Sequence, residues 1–363
     1  MDKQLKVIIS GGGTGGHIFP AVSIANAIKK LYPDADILFV GALGRMEMEK
    51  VPAAGFPIIG LPVRGFNRKN IFKNISVLFD LAKSMIKARQ TIKTFKPDIV
   101  VGVGGYASGP TLRVANSLNI PTVIQEQNSY AGVTNKLLAK NASKICVAYP
   151  KMEKFFPSDR IIETGNPIRQ DLQDDHASLD EAHKYFSLVK DKKTILIIGG
   201  SLGALTINKS IESGLEKFDK NNIQIIWQTG KTYSETDKII EGVMFRSPFI
   251  TRMDLAYKAA DLVISRAGAS SISELCCLGK SSILVPSPNV AEDHQTKNAL
   301  ALSENGAAIM VTDKDAPELL VDTAITVVND KEKLISLGNK AKEMAYYNAA
   351  DTIAKIVMDI AKK

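Results

Sequence analysis

Twice in this chain an apolar strand runs straight into a glycine-rich turn and then a helical pattern: LKVIISGGGTGGH at 5–17 and KTILIIGGSLGA at 193–204. A strand that hands the chain to a glycine turn and a helix opens a doubly wound parallel sheet. Its return midway through 363 residues predicts two such sheets, since single cores rarely grow past ~250 residues. Further apolar runs follow each opening. They are DILFV (36–40), DIVVGV (98–103), PTVIQ (121–125) and SKICVA (143–148), then IQIIW (223–227), DLVIS (261–265), SSILVP (281–286) and AAIMV (307–311). Helical patterns such as 17–32 and 71–94 lie between them, so the expected fold class is α/β with helices on both sheet faces.

The turn signal Gly165-Asn166-Pro167 sets the expected boundary, giving domains 1–165 and 166–345. Ile353, Ile356, Val357 and Ile360 have helical spacing and predict a final helix within 346–363, with the first domain as one candidate to receive it. Ligands of such sheets bind beyond the carboxyl ends of the strands. Two facing sheets would make one cleft, and strand-end loops are where chemistry is expected.

Charge divides the halves. Residues 1–165 hold 22 Lys+Arg against 11 Asp+Glu, whereas the remainder holds 24 against 27. The basic half predicts an anionic partner. Within it, 64–96 carries nine Lys+Arg and one acid, Asp80. Ile71, Ile75, Leu78, Phe79, Ala82, Met85 and Ile86 form an apolar stripe there. Most of the stripe is expected to pack on the sheet. Its exposed end, with Lys69, Ile71, Phe72, Lys73, Ile75 and Phe79, suits an anionic membrane surface. Aromatics are few and no nucleic-acid module is visible, so nucleic acid is not the expected partner. The apolar run Leu5–Ile9 is too short for a signal peptide, and no run approaches a membrane span. Three cysteines, Cys146, Cys276 and Cys277, fit no disulfide framework; they sit in apolar stretches and read as core residues of a reducing compartment.

Gly11, Gly13 and Gly16 match the dinucleotide pattern G-x-G-x-x-G. That reading also needs a carboxylate ending the second strand, to hold a ribose. The second strand ends FVGALG, without one. GVGGYASGP (102–110) and QEQNSYAGVTNK (125–136) end two more strands, and three such loops at one sheet edge can cradle a diphosphate. In the second half, Ser201 lies in the glycine turn. Ser270, Ser271 and Glu274 follow strand DLVIS, where Glu274 can serve a ribose diol or close a capping box with Ser271. Asp293, His294, Gln295 and Asn298 follow the next strand. His17, beside the first glycine turn, is the candidate general base, with His294 the alternative; His176 and His183 lie in a charged stretch. Asp34-Ala35-Asp36 precedes its strand, at the wrong end of the sheet for a metal-held nucleotide sugar. No G-x-x-x-x-G-K-[ST] loop is present.

Taken together, GGTGGHIFPA, GGYASGP, EQN, GVTNK, TGNPIR, GGSLGA, SRAGA, ISE and HQTKNA closely resemble glycosyltransferase family 28, over nearly the whole chain and in order. Within it the likeness is to the bacterial transferases that move N-acetylglucosamine from UDP-N-acetylglucosamine onto the lipid-linked muramyl-pentapeptide, lipid I, giving lipid II for peptidoglycan. The resemblance implies a GT-B fold, inversion to a β-1,4 linkage, and no bound catalytic metal or other cofactor. It implies donor contacts from Thr14, Gly15, Gly16, Asn128, Arg169, Ser201, Ile250, Ser270, Ser271, Glu274 and Gln295. Of these, Glu274 would hold the ribose, Ser201 and Arg169 the diphosphate, the main chain at Ile250 the uracil, and Gln295 the sugar. It places His17, Tyr106, Glu126 and Asn135 against the acceptor. It also implies a peripheral position on the cytoplasmic face of the inner membrane, with cell-wall synthesis proteins as further partners. Many members carry His where this chain has Gln125, and some carry Gln where it has His294. A UDP-sugar 2-epimerase or a glycolipid synthase would share the two-domain plan.

Overall fold

The structure is a computed structural model that describes residues 4–65, 74–169, 172, 177–200, 202–233, 244–290 and 293–362. The chain divides into two compact units, Met1–Arg169 with Asn348–Lys363, and Gln170–Tyr347.

The first unit holds strands β1 (Lys6–Gly11), β2 (Asp36–Ala42), β3 (Ile58–Leu61), β4 (Ile99–Gly104), β5 (Thr122–Glu126), β6 (Lys144–Val147) and β7 (Ile161–Glu163). Helices α1 (Gly15–Leu31), α2 (Glu47–Ala53), α3 (Asn74–Phe95), α4 (Ser108–Ser117) and α5 (Val133–Leu138) connect them. The strands pair in parallel in the order β3-β2-β1-β4-β5-β6-β7. Strand alternation sends Val7, Ile9, Val101 and Val103 to the face covered by Ile24 and Ile28 of α1. Ile8, Val100 and Ile124 go to the other face, with Ala88 and Ile92 of α3 and Leu112 of α4. A sheet buried on both faces needs continuous apolar strands, and β4 (IVVGVG) is buried throughout.

The second unit repeats the plan with β8 (Lys193–Ile198), β9 (Ile223–Gln228), β10 (Met244–Ser247), β11 (Leu262–Ser265), β12 (Ser282–Leu284) and β13 (Ile309–Met310). Its helices are α6 (Leu179–Phe186), α7 (Leu205–Lys220), α8 (Met253–Ala259), α9 (Ala269–Leu278), α10 (His294–Ser303), α11 (Ala316–Asn329) and α12 (Lys331–Glu343). The order β10-β9-β8-β11-β12-β13 matches the first sheet, strand for strand, through its first six. Trp227 on β9 is fully buried, and Asn208 Oδ1 accepts its indole N–H at 3.1 Å.

Helix α13 (Ala349–Ala361) belongs to the first unit. Ile353, Ala354 and Val357 are fully buried in the same cluster as Ile24 and Ile28. At the rim Lys30 meets Asp351 at 3.9 Å, and Lys362 lies over the Tyr32 ring. Strands β3, β7 and β10 have no counterpart in the sequence reading. Each is an edge strand of three or four residues, and edge strands carry too short an apolar run to stand out.

Candidate active site

In both sheets the strand order reverses beside the first strand, between β1 and β4 and between β8 and β11. That reversal opens a crevice at the carboxyl ends of the strands. In the first unit the turns after β1, β4 and β5 therefore lie side by side. Ser108 Oγ ties two of them, at 2.7 Å from Ser10 O and 2.9 Å from Gly104 O. The turn after β4 approaches the one after β1 so closely that a Cβ at Gly105 would strike the Gly12 backbone. Tyr106, on the same turn, is half exposed and covers Gly65.

Beneath the first turn sits Glu47, which sequence reasoning missed. It is 1% exposed. Its carboxylate accepts from Gly13 N at 2.8 Å and from Ala42 N at 2.9 Å. A Cβ at Gly12 or Gly41 would collide with it, which explains glycine at both positions. The second strand lacks a terminal carboxylate, but α2 folds one back to its end. Committed to two backbone N–H groups and buried, this carboxylate is not presented to a ribose, so the turn is not built as a dinucleotide site. The available signal was an acid five residues past β2, at the start of a helix.

The sheet edge also positions His17. Thr14 is the N-cap of α1 and makes no side-chain capping bond, and Gly15, Gly16 and His17 form the first turn. His17 Nδ1 lies 3.0 Å from Gln127 Oε1. Its ring fills the space a Cβ at Gly104 (φ 94°) would need. Gln127, Gln125 and Asn166 are buried and mutually bonded. Arg169 lies over the Phe19 ring, 5.7 Å from its centroid, and Phe19 in turn packs on Gly15. The stack brings Arg169 to the N-terminal end of α1.

Two residues expected against an acceptor turn inward. Glu126 is 2% exposed and Asn135 4%. Glu126 Oε1 accepts from Asn128 N and Nδ2, at 3.1 and 3.3 Å. Its Oε2 accepts from Gly132 N at 3.0 Å and Asn135 Nδ2 at 2.8 Å. The pair shapes the loop from Asn128 to Gly132. Asn135 Oδ1 is buried with no hydrogen-bond partner among the described residues.

In the second unit α9 starts at Gly268 as N-cap, so Ser270 and Ser271 both lie within its first turn. Ser271 is not the cap, and the capping box does not form. Glu274 is 8% exposed and accepts the Tyr257 hydroxyl at 3.0 Å. The Ile250 N–H donates to Gln228 Oε1 at 3.0 Å, which leaves the carbonyl as its readier main-chain group for a base. Gln295 Oε1 accepts from Ser287 N at 2.9 Å, and His294 is the first residue of α10. Beside these, Arg266 binds Asp313 at 2.5 Å and donates to Val285 O and Pro286 O. Ser201, Lys69, Ile71, Phe72 and Lys73 lie outside the described residues, as does the Ile75 side chain.

The apolar stripe of α3 is two stripes. Val77, Ser84, Ala88 and Ile92 face inward, whereas Leu78, Phe79 and Ile86 are 55%, 66% and 60% exposed. Ile86 was expected in the core. A helix apolar on two faces reads as one broad stripe in sequence, because residues one position apart fall on both. Among the described residues no helix is long and apolar enough to cross a membrane.

Family models match both halves: glycosyltransferase family 28 N-terminal domain over residues 7–147, and its C-terminal domain over 194–353. A Parabacteroides distasonis protein is 60% identical over 99% of this chain and 100% of its own length. A Phocaeicola vulgatus protein is 59% identical over 100% and 98%. Both are named "UDP-N-acetylglucosamine--N-acetylmuramyl-(pentapeptide) pyrophosphoryl-undecaprenol N-acetylglucosamine transferase". Among solved structures, MurG of Acinetobacter baumannii is 28% identical, with a TM-score of 0.75 over 98% of this chain and 99% of that one. UDP-GlcNAc 2-epimerase from Neisseria meningitidis shares the fold alone, at 15% identity and a TM-score of 0.68 over 98% and 100%. Two parallel doubly wound sheets in one chain are the GT-B plan, and on both its halves this chain belongs to glycosyltransferase family 28.

Proposed function

We infer that this protein transfers N-acetylglucosamine from UDP-N-acetylglucosamine to undecaprenyl-pyrophosphoryl-N-acetylmuramyl-pentapeptide, forming lipid II for the cell wall. The observation that carries this is 60% identity to a transferase of that name, across the full length of both chains. In the mechanism we assign, the acceptor's C4 hydroxyl attacks the anomeric carbon from the face opposite UDP. The glycosidic bond forms as the bond to the diphosphate breaks, and configuration inverts. His17 takes the hydroxyl proton, and the bonding electrons leave on UDP. In the second unit Glu274 holds the ribose, with Ser270 and Ser271 at the α9 start toward the diphosphate, where a helix N-terminus favours an anion. Ser201 is assigned there too, the Ile250 carbonyl to uracil and Gln295 to the sugar. In the first unit Arg169, Asn128 and the α1 start (Thr14, Gly15, Gly16) stabilise charge on the departing group. Tyr106 meets the acceptor, and Glu126 with Asn135 serves by shaping the loop beside it.

Supporting a membrane-surface location are the acceptor's lipid, the excess of basic residues in the first half, and the exposed stripe Leu78, Phe79 and Ile86. We place the enzyme peripherally on an anionic cytoplasmic leaflet. The test of the reaction is UDP release from UDP-N-acetylglucosamine by purified protein. Release that depends on a lipid I analogue and survives EDTA is expected. Epimer formation without acceptor would instead move the protein to the 2-epimerases whose fold it shares.

A further inference from the structure

We propose that Gln127 is a positioning residue that fixes the tautomer of His17, holding the proton on Nδ1 and the lone pair on Nε2. The proposal rests on the reading of His17 as the base, and adds what makes it one.

The orientation of each amide follows from the carbonyls around it. The Gln127 main-chain carbonyl can only accept, so the Asn166 group 3.0 Å away is its NH₂. Asn166 therefore turns its oxygen to Gln125 Nε2, 2.9 Å away. Gln125 then presents its own oxygen to Gln127 Nε2. The Val103 carbonyl, 2.7 Å from the same nitrogen, requires the same choice. Gln127 is thus left with its oxygen toward His17 Nδ1, at 3.0 Å. An oxygen there needs a proton from the ring, and a neutral imidazole carries only one. Nε2 is then the basic nitrogen. The chain of amides is buried at 0–3% exposure, so water cannot reverse it cheaply. Gln125, with Val103, supplies the acceptors that orient Gln127.

The partner is a neutral amide, so it sets the tautomer without adding charge to the ring. Charged and titratable groups on the surrounding elements are Glu47 beneath Gly13, Tyr106 after β4, Glu126 at the end of β5 and Arg169 over Phe19; Lys30 and Asp351 pair at the far end of α1. None of these changes in the variants below.

The direct test is nitrogen NMR of the full-length protein labelled with ¹⁵N-histidine, with His17 assigned by its loss in His17→Gln. Wild type is expected to show protonated Nδ1 and unprotonated Nε2 in the neutral ring; protonated Nε2 overturns the proposal without any variant. Gln127→Leu should lose that preference. Its kcat should fall by roughly 10²–10⁴, with KM for UDP-N-acetylglucosamine within threefold. Gln127→Glu keeps an acceptor toward Nδ1 and adds a charge, while giving up the NH₂ that Val103 O and Gln125 Oε1 accept. It should hold the tautomer and move the acid limb of kcat upward by about one pH unit or more. An unmoved limb in Gln127→Glu, in a protein whose limb vanishes on His17→Ala, also overturns the proposal. Near-normal turnover in His17→Ala, with the expected tautomer in wild type, instead removes His17 as base and leaves the positioning intact.

Discussion

Glu47 sets its carboxylate 2.8 Å from the Gly13 N–H, inside the turn where a nucleotide phosphate would otherwise be sought. The turn brings its own anion. Its N–H groups are organised before any substrate arrives, and the helix that follows delivers His17 to the sheet edge.

Replacing Glu47 by Ala should therefore leave the Gly13 and Ala42 N–H groups without their acceptor. Each buried group left unsatisfied costs about 1–3 kcal/mol. Ala42 is buried and Gly13 half-buried, so the expected loss is about 2–4 kcal/mol of first-unit stability, with Glu47→Gln intermediate. Urea unfolding followed by hydrogen exchange at Gly13 and Ala42 measures it. A midpoint within error of wild type would show that the turn stands without its carboxylate.

The thiols predict an alkaline response. Cys146 lies fully buried in β6, and burial pushes its pKa from 9.0 to about 12. Burial likewise raises Cys276 to about 12 and the less enclosed Cys277 to about 11. A thiol protonated in the fold but ionised in the unfolded chain contributes fully below pH 9. Its contribution falls as pH climbs from 9 toward the folded value, by at most ~1.4 kcal/mol per pH unit for each thiol. The urea midpoint of wild type should drop more steeply between pH 9 and 10 than that of Cys146→Ala. Lysines and tyrosines titrate alike in both proteins, so parallel slopes would refute this. At pH 8, alkylation should reach Cys277 first.

Helix α13 predicts a loss confined to one unit. Ile353→Ala and Val357→Ala each empty a fully buried site. Core truncations of this kind cost roughly 2–5 kcal/mol. Hydrogen exchange should accelerate in β1 and α1 while β8 and β11 keep their protection. Equal acceleration in both units would mean that they do not unfold separately.

The outward stripe of α3 predicts lipid binding. Phe79→Glu with Ile86→Glu should weaken flotation with anionic vesicles by tenfold or more, at unchanged thermal stability, because both residues are exposed. Lys69→Glu and Lys73→Glu should weaken it further, and added salt should mimic them. Undiminished flotation in all four substitutions would place the lipid-binding surface elsewhere.

The two sheets were legible in the sequence because their inner strands are buried on both faces, and runs such as IVVGVG and KTILII cannot be read otherwise. The strand-end loops followed from the same periodicity. What sequence could not supply was direction. Glu126 looked like a group facing substrate, yet its carboxylate turns back to Gly132 and Asn135. Gln127 lay unremarked between Glu126 and Asn128, although its amide reaches His17 across 110 positions. Glu47 escaped because it comes from the helix after the strand, not from the strand itself. Such pairings depend on tertiary approach, and no local period records them.

Helix α13 also sets an order of events on the ribosome. The first unit lacks the α13 side chains that complete the cluster around Ile24 and Ile28 until 349–361 have been made, which is after the whole of Gln170–Tyr347 has been translated. An apolar groove along α1 is therefore bare while the second unit is synthesised. The unit translated first is completed last, and any cut that removes the final helix exposes a core built 300 residues earlier.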